Sequence, residues 1–265
     1  EKLVPSACAE ACGAGGFIGT ALPGFAPWAT LGFVLLALAP ARARAEISGT
    51  ATMPNGGGEV EFQNVAATNW VNGELVLKWT NTMESVLKSY TLNGPAMADV
   101  LVVAGAGAGG SGLDVNSNNR GAGGGGGAGG FVETNGCIFA KDTYLIMVGQ
   151  GGVPSADGSG EAGGCGSNST IRAGPVELFC AYGGGGGGAM SEGLPGGSGG
   201  GGSKYWTSST DFSMRVGGSG IEGQGNKGGD GKATTTASAL GNTAGGGGGA
   251  GGPGADTKTA NVGAA

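Results

Sequence analysis

Of 265 residues 66 are glycine, against an average usage of about 7%, and residues 101–265 hold 54 of them. Histidine is absent, which removes Ser-His-Asp triads, Cys-His dyads and imidazole ligands for zinc or haem, and 13 basic against 19 acidic residues, a net charge of −6, leave no basic footprint for nucleic acid. Collagen is excluded as well, because runs such as Gly183 to Gly188 break any G-X-Y period.

The chain opens at Glu1 and its first methionine is Met53, so the sequence is expected to belong to a longer one. Residues Trp28 to Ala39 form an apolar run too short to span a bilayer, which needs roughly twenty residues. Followed by Pro40 and the small-x-small triplet Ala43-Arg44-Ala45, the run suits the h-region of a signal peptide cleaved after Ala45. Residues 1–45 are therefore expected to be a leader with an upstream extension, and the mature chain to carry no transmembrane span. Cleavage would remove Cys8 and Cys12 and leave Cys137, Cys165 and Cys180. The candidate disulfide is Cys165 with Cys180; the alternative is three small buried hydrophobes.

Residues 46–104 have an ordinary composition and a strand-like pattern. Glu59 to Phe62 alternate polar and apolar, and Asn72-Gly73 before Leu75 to Thr80 predicts a hairpin turn. Ser85 to Leu92 leads to the turn Asn93-Gly94-Pro95, and Val100 to Ala104 is a continuous apolar run expected to be buried on both faces. No helix of ten residues or more is predicted in the mature chain, so the fold class is all-β.

From Gly105 to Ala265 glycine tracts alternate with apolar islands at 131–132, 137–139, 144–148, 176–182 and 212–216. A flexible linker has no such islands. The nonapeptide Ala122 to Gly130 recurs identically as Ala244 to Gly252, with Gly183 to Gly188 about midway, which suggests stacked units; low-complexity coincidence is the alternative. An ordered glycine costs about 0.5–1 kcal/mol more backbone entropy than alanine. That cost can be offset if extended left-handed threefold helices pack side by side and pair their amides and carbonyls. The expectation is a β-core built from 100–103, 144–148 and 176–182 with packed polyglycine II tracts at 123–127, 183–188, 199–202 and 245–249; the alternative leaves the tracts as disordered loops.

Gly105, Gly107 and Gly110 follow an apolar strand in a G-x-G-x-x-G pattern, but no helix follows to offer its N-terminus to a pyrophosphate, so dinucleotide binding is disfavoured. Residues 226–234 echo a P-loop, yet Asn226 and Ala233 replace the required Gly and Ser or Thr. Carboxylates at Asp157, Glu161 and Asp230 fit neither an EF-hand nor the nine-residue calcium repeat. Asn168-Ser169-Thr170 is a glycosylation sequon that matters only in a eukaryotic secretory route. No catalytic, cofactor-binding or metal-binding residue is assigned, and an enzyme is not expected.

The stretch Ala98 to Gly110, with Gly123 to Phe131, Tyr144 to Gly152 and Ala181 to Gly188, resembles the glycine-rich domain of bacterial surface and phage tail-fibre proteins. More distantly, the chain is similar to the glycine-rich extracellular domain of the anaplastic lymphoma kinase and leukocyte tyrosine kinase receptors, and the resemblance covers residues 75–265. The resemblance implies a β-core crowned by packed polyglycine II helices and used for recognition outside the cell. It does not carry kinase activity, since the H-R-D, D-F-G and V-A-I-K motifs are missing. Relatives finish on a closing apolar strand that Asn261 to Ala265 does not supply, so the domain is expected to continue beyond Ala265.

The resulting expectation is an exported, non-enzymatic surface or secreted protein with a structural or adhesive role, recognising an extracellular protein or glycan, and a possible oligomer. Tyr205 and Trp206, between tracts, are the candidate contact residues; core packing is their alternative role. A phage tail-fibre-like adhesin needs no export signal. An ice- or polysaccharide-binding protein would show ladders such as Thr-x-Thr, at which only Thr234 to Thr236 hint.

Overall fold

A computed structural model describes residues 30–35, 47–52, 59–65, 67–71, 74–80, 88–112, 114–116, 119–204, 215–231 and 243–257. Its strands, in chain order, are β1 (Thr30–Leu35), β2 (Ile47–Thr52), β3 (Glu59–Val65), β4 (Ala67–Val71), β5 (Glu74–Trp79), β6 (Lys88–Leu92), β7 (Ala96–Val103), β8 (Asp114–Asn116), β9 (Asn119–Arg120), β10 (Phe131–Phe139), β11 (Thr143–Met147), β12 (Ser169–Ala173), β13 (Val176–Ala181), β14 (Ser203–Lys204) and β15 (Thr243–Ala244). There is no helix among the described residues, and thus none there long and apolar enough to cross a membrane.

Two sheets carry the core, in the orders β10-β7-β1-β5-β4 and β13-β12-β11-β6-β3-β2. Neighbours run antiparallel except β1, which lies parallel to both β5 and β7. Val71 pairs with Glu74 across the predicted hairpin, whose turn residues Asn72 and Gly73 lie outside the described set. Alternate residues of the two sheets meet in one core that includes Leu75, Leu77 and Trp79 of β5, Val100 and Val102 of β7, Tyr90 of β6 and Ile171 of β12.

Period-two alternation governs more of this core than the apolar runs suggest. Leu101 and Val103 are only half-buried, so β7 does not bury both faces equally. Tyr144, Ile146 and Val148 are buried, whereas Leu145 and Met147 between them face solvent, and Val176 is 55% exposed at the start of its strand. The physical reason is the pleat: successive side chains leave opposite faces, and these strands have one wet face.

At the centre Tyr90 stacks on Tyr144 with ring centroids 4.8 Å apart, and Phe139 meets Tyr144 edge-on at 5.1 Å. The Tyr144 hydroxyl donates to the carbonyl of Ala140, and Trp79 Nε1 donates to the carbonyl of Gln63. Burial, then the neighbouring Tyr144, holds the Tyr90 phenol well above its ordinary pKa. Burial and Asp142 raise that of Tyr144.

The glycine tracts are ordered by a three-residue rhythm of backbone hydrogen bonds. Amides of Gly105, Ala108 and Ser111 donate to carbonyls of Ser167, Gly164 and Glu161, while those of Ala104, Gly107 and Gly110 donate to Gly130, Gly127 and Gly124. Three steps forward on one tract match three steps back on the other, the signature of antiparallel threefold helices. Direction is mixed: Gly184 and Gly187 donate to Gly105 and Ala108, and Gly185 and Gly188 to Ser198 and Gly201, both in parallel. Tract 183–188 therefore sits at the centre, bonded to 104–111, 122–130, 161–168 and 194–202.

The repeated nonapeptide takes its meaning here. Gly125 and Ala128 donate to Gly245 and Gly248, so the two copies lie side by side and parallel, shifted by two residues, rather than as stacked units. Close approach demands glycine: a Cβ on Gly187 would lie closer than 3.0 Å to the carbonyl oxygen of Gly124, and one on Gly247 would meet that of Gly126. At the margin, Gly251 has open space around its missing side chain.

Core and array are joined by polar side chains. Ser169 Oγ donates to the carbonyl of Val103 and accepts from the amide of Gly149, and Asn168 Oδ1 accepts from Gly183. Gln224 Oε1 accepts from Tyr182, its Nε2 donates to the carbonyl of Cys180, and its own carbonyl accepts from Phe131.

Three outcomes test this description. Gly187→Ala should cost at least about 3 kcal/mol or prevent folding, while Gly251→Ala stays within about 1 kcal/mol of the parent, as read by urea unfolding. Equal effects would refute the packed array. Gln224→Ala removes the bonds to the Tyr182 amide and the Cys180 carbonyl and should lower stability by about 1–3 kcal/mol; a loss under about 0.5 kcal/mol would remove Gln224 from the joint. Because folding raises the Tyr90 and Tyr144 pKa values, the unfolded chain loses these protons first. Stability present below about pH 10 then falls as pH rises further. Urea midpoints at pH 8 to 11 should show that fall, and Tyr90→Phe should flatten it.

Candidate functional site: the outer end of the glycine array

Each core strand near the array runs straight into a tract. Ala104 follows β7, Gly130 precedes β10, Gly149 closely follows β11, Asn168 precedes β12, and Tyr182 follows β13. This fixes one end of the array on the sandwich. Short turns at 195–198, 221–224 and 249–253 also reverse the chain at this end, Gly197 beside Gly130 and Tyr182, and the remaining reversals lie at the other end.

That outer end is marked by residues on one level: Gly110 beside Gly124 and Gly188, Gly123 bridged to Ala189, Ser111 bonded to Glu161, and Ser203 bonded to Ala122 and Ser191. The excursions that leave it are the β8–β9 hairpin, the loop 153–160, the turn 189–193, and segments 205–214 and 232–242. The last two are rooted by described residues: β14 pairs with β15, and Arg215 with Gly231. Tyr205 and Trp206 lie in 205–214, outside the described residues.

Short polar contacts tie down the described loops. Ser111 Oγ meets Ser159 Oγ at 2.9 Å, the Glu161 amide donates to Ser111 Oγ, and Ser155 donates to the Glu161 carbonyl. Val153 stands 77% exposed where this loop begins. In the turn 189–193 Met190 adopts a left-handed backbone with φ 55°, uncommon for a residue with a side chain and more frequent at functional or strained sites. The Nε atom of Arg215 is buried without a hydrogen-bond partner.

The sequence motifs elsewhere are spent on the scaffold. Amides of Gly105, Gly107 and Gly110, which a dinucleotide phosphate would need, donate to Ser167, Gly127 and Gly124, and a neighbouring carbonyl lies where each Cβ would stand. In the P-loop-like stretch the Asp230 carboxylate accepts from the Gly217 amide and from Lys227 Nζ at 2.7 Å, and Asn226 Nδ2 donates to the carbonyls of Gly249 and Ala250. In the sequon Ser169 and Thr170 are buried and Asn168 caps a glycine tract, so a folded chain presents no acceptor there. No three residues among Cys, Asp and Glu gather around a common point among the described residues.

Cys165 and Cys180 are each disulfide-bonded, and Cys137 is a free thiol whose pKa is raised by burial and then by Asp99. Sequence reasoning missed the joint residues Gln224, Asn168 and Ser169. The only signal for them was a lone polar residue next to a tract boundary.

No curated protein and no solved structure matches the chain. A family model described as a glycine-rich domain matches residues 84–265. With its β-core strands feeding a packed glycine array over that span, the chain belongs to the glycine-rich domain family.

Proposed function

We propose that this is an exported, non-enzymatic surface or secreted protein in which the glycine array is a rigid stem. The loops at its outer end, Tyr205 and Trp206 among them, are the contact surface for an extracellular protein or glycan. The observation that carries this reading is that the described roots of five excursions, at 112–121, 153–161, 188–194, 204–215 and 231–243, share the end of the array away from the sandwich. Binding residues concentrate on loops held by rigid scaffolds.

The composition of the two largest excursions supports it. Residues 205–214 (YWTSSTDFSM) supply aromatic anchors, and both they and 232–242 (KATTTASALGN) are rich in Ser and Thr, the chemistry of adaptable paratopes. The two disulfide-bonded cysteines suit an oxidising compartment. After removal of residues 1–45 the mature chain offers Cys165 and Cys180 no partner but each other and free Cys137.

Binding of the secreted protein to arrayed glycans and to intact cell surfaces tests the reading. Tyr205→Ala with Trp206→Ala should weaken that binding by about tenfold or more and leave the unfolding midpoint unchanged. A lowered midpoint with unaltered binding would place the two rings in the core and overturn their role.

A further inference from the structure

The central strand of the first sheet comes from the segment read as the leader's apolar region. β1 pairs with β7 along its whole length and with β5 from Leu31 to Leu35: Leu31, Phe33 and Leu35 stand in register with Leu75, Leu77 and Trp79 of β5 and with Ala98, Val100 and Val102 of β7. These six partners are the core-facing rows of their strands, each at most 1% exposed. No other pairing joins β5 to β7.

Cleavage after Ala45 would take this strand away. What remains is a gap one strand wide, with the facing amides and carbonyls of β5 and β7 unpaired on both sides and an apolar core behind it. Leaving such rows open is costly, because buried backbone groups are paired almost without exception and open strand edges recruit another strand. The gap is more selective than an ordinary sheet edge. It requires pairing on both sides at once, and it imposes one direction, parallel to β5 and β7.

We propose that the processed domain presents this slot, between β5 and β7, as a receptor for one extended strand of a separate polypeptide. The proposal rests on the export reading. The chemistry of the occupant follows from the register: about six residues, uncharged, without proline, inserted parallel to both neighbours, with large apolar residues at alternate positions as in Leu31, Phe33 and Leu35. Main-chain bonds would supply affinity, and the alternate positions beside the core rows would supply specificity. In the unprocessed chain residues 30–35 hold the place of that strand.

The test uses the full chain with a specific protease sequence in place of residues 40–45, folded first and then cut. After mild denaturant removes the released piece, a labelled peptide of residues 28–39 should bind one to one. It should slow amide exchange at 75–79 and 98–102 by at least about tenfold, and a peptide carrying Phe33→Pro should do neither. Full protection of those amides in the cut chain without peptide, together with no peptide binding, would show that the sheet closes on itself and would overturn the slot. The N-terminal residue of the protein recovered outside the cell is read separately. Glu46 there with a closed sheet defeats the slot alone. Retention of residues 30–35 defeats processing, and then also the slot as a receptor in the exported protein.

Discussion

The structure depends on one exclusion: at most glycines of the central tracts no Cβ fits. Carbonyl oxygens of one tract stand where the side chain of the next would be, as Gly124 does for Gly187 and Gly126 for Gly247. Removing the side chain brings backbones close enough to bond directly, so ordering the tracts is offset by hydrogen bonds rather than by apolar burial. Each such bond contributes only about 0.5–1.5 kcal/mol net. The array is stable because the bonds recur every third residue on several sides of the same tract.

That exclusion explains the alternation of islands and tracts along the chain. A polyglycine helix has no apolar face and cannot anchor itself to a core, whereas a β-strand can. Each strand therefore serves as the root of a tract, and the roots are locked by the polar side chains closest to them. Ser169 binds the end of β7 to the end of β11, and Gln224 binds tract 225–231 to β10 and β13. The buried Tyr90–Tyr144–Phe139 cluster lies on the sandwich side of these joints, so core and array stand as two packings with different chemistry that share their chain crossings.

Much of this was legible in the residues. The absence of helix among the described residues, the strands around Asn72-Gly73 and Val100, and the ordered tracts all follow from alternation and from apolar islands that a linker would lack. The side-by-side placement of the repeated nonapeptides was not legible, because a run of identical glycines carries no register. Five tracts are placed by the core strands at their roots, which are distant in sequence, and the others by their bonds to those tracts. The exposure of Leu145 and Met147 escaped a reading that treated the island 144–148 as one buried block, where the pleat sends every second residue outward. Nor could the pattern of Thr30 to Leu35 disclose its two parallel partners, since an apolar run of that length suits a leader and a central strand equally well.

The same exclusion limits where specificity can reside. Inside the array a substitution that adds a methyl group collides with backbone, and backbone cannot move aside as a flexible side chain can. Room for an added side chain is thus left at margins such as Gly251. A rigid interior that admits only a few small side chains, such as Ala128 and Ser198, and an outer end with room for larger ones divide the work of support from the work of contact. The recognition we propose belongs to the outer end for that reason, independent of which molecule is recognised.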